Sequence, residues 1–444
     1  MNHGKIIFWS ITVALGGFLF GFDTAVISGG EQAIQQLWSL SDAMIGQMVA
    51  MALYGTVLGA LFGGIPADKL GRKRSLFWVA VLYLVSALGS ALAPEIYSLM
   101  FFRFIGGLGV GASSVVAPMY ISEIAPKEKR GQLTALFQFN IVVGILIAYL
   151  SNYLIGGGGN GNWRWMLGVE SVPAIAFVVM ILFVPRSPRW LIIKKGLVEE
   201  ARGVLKQINP ATADAHVEEL IEGEKLVHGK SAFSEFISGK FNLPILLAFL
   251  VAFFNQLSGI NAVIYYAPRI FSDTGMGEGA ALLSSVGVGV ANLIATLVGM
   301  FLIDRMGRKF LMYLCSFGYI ASLSMISLAF YTGFGSGTYL VPILIFAFIA
   351  SHAVGQGAVI WVFISEIFPN NVRSFGNSLG CGTHWVFAAL IAGTFPYVAG
   401  ALGAGTTFAI FAGMMVFQLL FVWKLMPETK GKSLEELEEI LVKS

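Results

Sequence analysis

Charge is scarce in this chain. Asp, Glu, Lys and Arg make up 12% of its 444 residues, about half the share found in ordinary soluble domains. With 56% hydrophobic residues and a mean hydropathy of +0.77, that shortage excludes a fully solvated surface and points to a membrane protein. Cysteine is scarcer still: Cys315 and Cys381 both lie in apolar runs, which excludes a disulfide framework and a thiolate metal site. No nucleotide-binding glycine loop, zinc-ligand spacing or catalytic triad occurs, so no enzyme activity, cofactor or metal is expected. The net charge of +3 gives no reason to expect a nucleic-acid partner.

What is abundant is apolar sequence between widely spaced charges. A crossing helix needs about 20 apolar residues, and charge-free windows of that size recur along the chain. They run between Lys5 and Glu31 (interrupted by Asp23), Asp42 and Asp68, Arg74 and Glu95, and Arg103 and Glu123. Arg130 to Arg164 holds one span and an outer loop with the Gly156–Gly159 run, and Trp165 to Val184 holds the sixth helix, with Glu170 inside it. After a charged stretch over 187–240 come Lys240 to Arg269, Glu278 to Asp304, and two double-length windows, Lys309 to Glu366 and Arg373 to Lys424. The expectation is an all-α membrane protein of twelve helices, divided as 1–186, a cytoplasmic helical linker over 187–240, 241–426, and a tail over 427–444. Lys5 and the run after it mimic a signal peptide, but no small-x-small cleavage site follows, so a retained first helix is expected. Within the linker, amphipathic helices are expected over Glu199–Ile208 and Asp214–Val227. In the tail, Ser433 and Glu436 have the spacing of a capping box.

Cationic residues crowd cytoplasmic loops. With the N-terminus inside, only Arg103, Arg164 and Arg269 fall at or near the outer side, and the other 25 of the 28 Lys and Arg fall inside. Both termini are therefore expected in the cytoplasm of a cell (inner) membrane protein. The halves also repeat. Asp68-Lys-Leu-Gly-Arg72-Lys73 returns as Asp304-Arg-Met-Gly-Arg308-Lys309, 236 residues on. Ile121-Ser-Glu123-Ile-x-Pro126-x-x-x-Arg130 returns as Ile364-Ser-Glu366-Ile-x-Pro369-x-x-x-Arg373 at 243, and Ala25-Val26-Ile27 as Ala262-Val263-Ile264 at 237. Parallel tandem repeats with a site between them at mid-depth are a secondary-transporter architecture.

Three ionisable residues fall inside predicted spans: Asp23, Arg103 and Glu170. An intramembrane carboxylate costs about 2.5–3.5 kcal/mol on insertion scales and marks a functional site by default; the plainer alternative for Asp23 is a helix-end acid reaching the headgroups. All three lie roughly 10 Å below the outer surface at 1.5 Å per residue, so they can meet at one level. One guanidinium cannot neutralise two carboxylates. One of the acids is therefore expected to carry a proton in some state, with Asp23 alone or Asp23 and Glu170 together in that role.

The chain resembles the sugar porters of the major facilitator superfamily over essentially its whole length. The resemblance rests on Gly21-Phe22-Asp23-Thr24, both Asp-x-x-Gly-Arg-Lys loops, and Arg103 with Gly106-Gly107-x-Gly109-x-Gly111. It rests also on Glu123-x-x-Pro126-x-x-x-Arg130-Gly131, Pro185-x-Ser187-Pro188-Arg189-Trp190-Leu191, Gln256-x-x-Gly259-Ile260-Asn261, and Pro427-Glu428-Thr429-Lys430-Gly431. Within the family it is most similar to bacterial proton-coupled pentose and hexose symporters. The resemblance implies a major facilitator fold, alternating access, and a proton and a monosaccharide as cargo, in a carrier expected to work as a monomer in the bilayer. An Asp at position 23 accompanies proton symport in that family. The alternatives are a facilitative uniporter that keeps Asp23 structurally and a non-transporting sugar sensor.

The matched motifs imply a sugar site of Gln138, Asn255, Gln256, Asn261 and Asn292, with Trp361 and Trp385 as ring platforms, Phe20 and Tyr265 at the edges, and Gly357 and His384 beside them. They imply an inner gate of Asp68, Arg72, Glu123 and Arg130, repeated as Asp304, Arg308, Glu366 and Arg373. For the sugar-site amides the plain alternative is helix glue; for the gate charges it is solvated loop charge. Five positions depart from the family pattern. Asn255 and Ile145 stand where Gln is frequent, and His384 replaces an amide. Ala358 stands where Pro is usual, so the tenth helix is expected to bend less, and Arg186 replaces a Glu. His384 is open to three roles: bonding sugar, joining proton traffic, or satisfying a neighbour.

Overall fold

The computed structural model describes residues 3–126, 130–156, 162–225, 232–369, 372–432 and 434–442. These form helices joined by short turns, and no strand occurs among them. Twelve are long and apolar enough to cross a membrane: α1 (Gly4–Gly29), α2 (Asp42–Phe62), α3 (Arg72–Leu92), α4 (Ile96–Ile124), α5 (Ala135–Ile155), α6 (Asn162–Phe183), α7 (Asn242–Ser272), α8 (Glu278–Met306), α9 (Arg308–Thr332), α10 (Leu340–Glu366), α11 (Arg373–Leu402) and α12 (Ala404–Lys424). The double-length windows thus resolve into α9 with α10 and α11 with α12. Gly157–Gly159, Val227 and Ser433, on which the outer loop, the end of a linker helix and the capping box depend, lie outside the described residues, as does the side chain of Arg130.

The chain packs as two compact units that do not coincide with its sequence halves. One contains Met1–Thr24, Met51–Ala148 and Arg164–Lys230; the other contains Ala25–Ala50, Tyr149–Trp163 and Ser231–Ser444. In the first, α4 closes on α2 through glycines: a Cβ on Gly107 would lie 1.9 Å from the Ala52 carbonyl oxygen, and one on Gly111 2.2 Å from that of Thr56. Small residues let membrane helices approach backbone to backbone, where dispersion replaces the missing hydrophobic drive. In the second unit α9 lies along α12, α8 along α10 and α7 along α11.

Three helices break, each for a local reason. Pro173 has no N–H to give the Val169 carbonyl, so α6 turns at Val169–Glu170; Val172 N bonds that carbonyl instead, at 3.1 Å. α7 stops at Leu257 and restarts at Ile260, with Gly259 between them at φ +83°. α10 breaks at Gly355 (φ −98°, ψ −94°). At Ala358, where the resemblance implies proline, the chain is helical, and the bend lies three residues earlier. The linker supplies the expected amphipathic helices over Val198–Ile208 and Ala213–Lys225; the first buries Ala201, Val204, Leu205 and Ile208.

Candidate functional site

Asp23 and Arg103 meet in the first unit. Arg103 Nη1 donates to Asp23 Oδ1 at 2.8 Å, and both its terminal nitrogens approach the Asp23 carbonyl at 3.4 and 3.5 Å. The pair is 2% and 1% exposed, so the headgroup-reaching alternative for Asp23 fails: its carboxylate points inward, against α4. Gly106, one turn beyond Arg103, lets α3 pack closely beside the pair, because a Cβ there would lie 2.4 Å from Ser86 Oγ, while Asp23 Oδ1 would stand at an ordinary contact distance of 3.6 Å. Glu170, held at the α6 break, is equally buried and lies within electrostatic reach of both partners. Its Oε1 and Arg103 Nε have no hydrogen-bond partner among the described residues. With the guanidinium committed to Asp23, a second charge on Glu170 has no compensating ion, which is costly in a buried site.

In the second unit the break of α7 assembles the amides. Asn255 and Gln256 lie at the end of its first segment and Asn261 at the start of its second, so the three amides of this seven-residue stretch converge on one point. Asn261 Nδ2 donates to Gln256 Oε1 (2.7 Å), and Gln256 Nε2 donates to Asn255 Oδ1 (2.9 Å) and meets the His384 ring at 3.1 Å from Nδ1. Trp361 and Trp385 pack on His384 with ring centroids 5.1 and 4.8 Å away. His384 bonds a neighbouring amide, Gln256. Gly357 and Asn292 are half-buried on α10 and α8, and Tyr265 is buried on α7. Phe20 and Gln138 are half-buried in the first unit. Ile145 is buried and apolar.

The repeated loop charges form matching networks, one inside each unit. Arg72 binds Asp68 and Glu123, both at 3.0 Å, and Glu123 accepts from the Ser187 hydroxyl. Arg308 binds Asp304 at 3.4 Å and Glu366 at 2.8 Å, and Glu366 accepts from the Thr429 hydroxyl at 2.6 Å. Arg373 stands apart from its network, with Nε on the Phe368 carbonyl and Nη2 unbonded among the described residues. The halves differ at one point. Glu428 accepts from the backbone N–H groups of Arg308 and Lys309, both at 3.0 Å, at the start of α9. Its repeat-mate 242 residues earlier is Arg186, which reaches Glu200 at 3.5 Å instead.

Two groups stand outside the residues expected from the sequence. Glu31 and Arg269 entered above only as window edges and, for Arg269, in the count of loop cations, yet Glu31 is fully buried and its carboxylate pairs with the Arg269 guanidinium, with Nε to Oε1 at 2.8 Å. Gln356, Gln418 and Ser316 continue the amide cluster into the bundle. Polar residues of this size in apolar runs carry no local signal.

The Sugar (and other) transporter family model matches residues 9–441. The chain belongs to this family. Among sugar transporter relatives it is 37% identical over 433 residues to the D-xylose transporter of Levilactobacillus brevis, covering 96% of this chain and 94% of that protein. It is 36% identical over 452 residues to the arabinose-proton symporter of Bacillus subtilis, covering 100% and 96%. An inward-open structure of the Escherichia coli xylose transporter superposes with a TM-score of 0.86 at 33% identity, covering 98% of this chain and all of that one. The fold is accordingly the major facilitator fold, the protein is a multi-pass membrane protein, and it is a transporter-family member and not an enzyme.

Proposed function

We propose that this protein is a proton-coupled monosaccharide symporter for a pentose or hexose, working by alternating access. The observation that carries this is the buried Asp23–Arg103 ion pair with Glu170 left over beside it: three ionisable groups, one cation short, in a region where unpaired charge is expelled. The names of its relatives support both cargoes. Protonation of Asp23 releases Arg103 and removes the charge imbalance, so a loaded carrier can reorient while a half-loaded one is held. Glu170 shares this site. The inward potential contributes about 2.3 kcal/mol per charge per 100 mV.

The sugar is assigned to Asn255, Gln256, Asn261, His384, Trp361 and Trp385, with Phe20, Gln138, Tyr265, Asn292 and Gly357 completing the set. Amides and the histidine meet the hydroxyls, and the indoles cover the apolar sugar face. Asp68, Arg72, Glu123 and Arg130 and their repeats Asp304, Arg308, Glu366 and Arg373 form the inner gate, stabilising cytoplasmic helix ends. Loop charge supports a cell (inner) membrane protein with both termini on the cytoplasmic side, and 1–186 and 241–426 are read as the moving halves of a functional monomer.

The test is sugar uptake in lightly buffered cells with a pH electrode. Sugar addition is expected to make the medium alkaline, and Asp23→Asn is expected to abolish accumulation against a gradient while leaving sugar exchange. Uptake without any pH change would instead favour a facilitative uniporter, and no uptake at all in vesicles a sensor.

A further inference from the structure

The amides at the α7 break are one end of a longer device. Ser316 donates its hydroxyl to the Met312 carbonyl at 2.7 Å, so towards Gln418 the oxygen can only accept. Gln418 Nε2 supplies that proton at 2.9 Å, which turns its Oε1 to Gln356. Gln356 Nε2 therefore donates to Gln418 (2.9 Å), and Gln356 Oε1 accepts from Asn255 Nδ2 (3.3 Å). Asn255 Oδ1 then accepts from Gln256, and Gln256 Oε1 accepts from Asn261. Every bond runs in one direction, from α7 through α10 and α12 to a main-chain carbonyl on α9.

The two ends differ. Ser316, Gln418, Gln356 and Gln256 are 0% exposed and Asn255 2%, but Asn261 is 9% exposed. Among the described residues its Oδ1 receives no hydrogen bond. An amide that only glued helices would be as well served in either orientation, since its oxygen and nitrogen differ little in shape. Here the serine and the carbonyl behind it dictate which end of each amide faces which neighbour, and the last amide turns its oxygen outward.

Resting on the sugar-site reading above, we propose that Gln356, Gln418 and Ser316 are positioning residues that set the hydrogen-bond polarity of the sugar-facing edge, so that Asn261 Oδ1 accepts a proton from one sugar hydroxyl. The site then selects at that carbon for a group that donates. A hydroxyl does so; fluorine can only accept, and hydrogen does neither. Breaking the relay far from the sugar frees the amides to turn over, and Asn261 can then offer its amino group.

The experiment uses the full chain in proteoliposomes. Once a competition panel has identified a transported monosaccharide, its monodeoxy and monodeoxyfluoro analogues are measured as inhibitors of its uptake. For the wild type, one carbon is expected at which the deoxy and deoxyfluoro analogues both weaken at least about tenfold, the cost of one lost hydrogen bond. In Gln418→Leu the deoxyfluoro analogue should regain affinity over the deoxy one at that carbon, and Gln418→Asn should not restore the wild-type pattern, because its reach is one methylene short. Ser316→Ala, a smaller change, tests the same link if Gln418→Leu fails to fold. A wild type that takes every deoxyfluoro analogue as well as the parent sugar would overturn the proposal. So would variants with slower transport but the wild-type analogue pattern, the outcome of a merely structural relay. Absence of competition by any monosaccharide would overturn the sugar-site reading itself, and the relay's role with it.

Discussion

At the scale of single residues, unmet backbone groups explain side chains that composition leaves unremarked. Pro268 cannot donate to the Ile264 carbonyl four residues back, and the Tyr149 hydroxyl occupies that carbonyl at 2.6 Å. Tyr149→Phe leaves a buried carbonyl unbonded, so a loss of about 1 kcal/mol is expected, read as a lower Tm in detergent. Pro268→Ala supplies an N–H one turn on, across the kink at Tyr266 (φ −126°, ψ 18°), and the double variant should recover part of the loss. A fully additive loss would show that the hydroxyl serves something else. Asp23 was legible because it stands alone among apolar neighbours, and Arg103 and Glu170 because intramembrane charge is rare. Gln356 and Gln418 were not: an amide in an apolar run looks the same whether it glues helices or relays polarity. Only the order of bonds distinguishes the two.

At the scale of elements, charge-free windows and repeated loops were sufficient to place all twelve spans, because crossing a bilayer leaves few alternatives to a long apolar helix. The breaks were less legible: Gly259 announced one, while the bend of α10 at Gly355 has no proline to mark it. The repeats also expose an asymmetry between equivalent helix starts. Gly71 and Gly307 have matching φ values of +90° and +87°, but a Cβ on Gly307 would meet the Glu428 carboxylate at 2.5 Å, and one on Gly71 the Trp190 ring at 3.0 Å. Burial raises the Glu428 carboxyl, and the N–H groups of Lys430, Arg308, Lys309 and Thr429 outweigh it, holding the group below the usual glutamate range. A carboxyl lowered by folding adds stability above its ordinary pKa and loses it as pH falls through the folded value. Glu428→Gln is therefore expected to cost about 1 kcal/mol at neutral pH, the worth of a helix cap, and to shrink the acid limb of a Tm-against-pH curve. Arg186→Glu places a carboxylate at the matching position of the first half and should raise Tm at neutral pH. A lower Tm would mean that the Arg186–Glu200 contact outweighs the missing cap.

At the scale of the whole molecule, the packing units cut across the sequence repeat: the C-terminal end of α1 belongs with α7. Glu31 and Arg269, 238 residues apart, hold them together, with Gln35 accepting from Arg269 and donating to Asp42 at 2.8 Å. Arg269 also lines an open cavity of 490 Å³, with Gln32, Gln35, Gln36, Ser39 and Asp273. Nothing local in the sequence announces such a long-range match of charges. In the alternating cycle proposed above these helix ends separate once per turn, and the pair is assigned there as an outer latch. Burial raises the Glu31 carboxyl above the usual glutamate range; its bond to Arg269 pulls it down without cancelling the shift. In a separated state the solvated carboxyl returns to its ordinary value of about 4.3, so protons bind the latched arrangement more tightly and acid favours it. Linkage then predicts that, as pH falls through the raised value towards the ordinary one, spin labels at Gln36 and Gly277 report a growing share of the short distance. Glu31→Gln removes the titrating group and should flatten that dependence. It should also move the population at neutral pH towards the short distance, because an uncharged amide is cheaper to bury. If Glu31→Gln instead opens the outer ends at neutral pH, the attraction to Arg269 exceeds the cost of burying the acid, and the latch is held by charge.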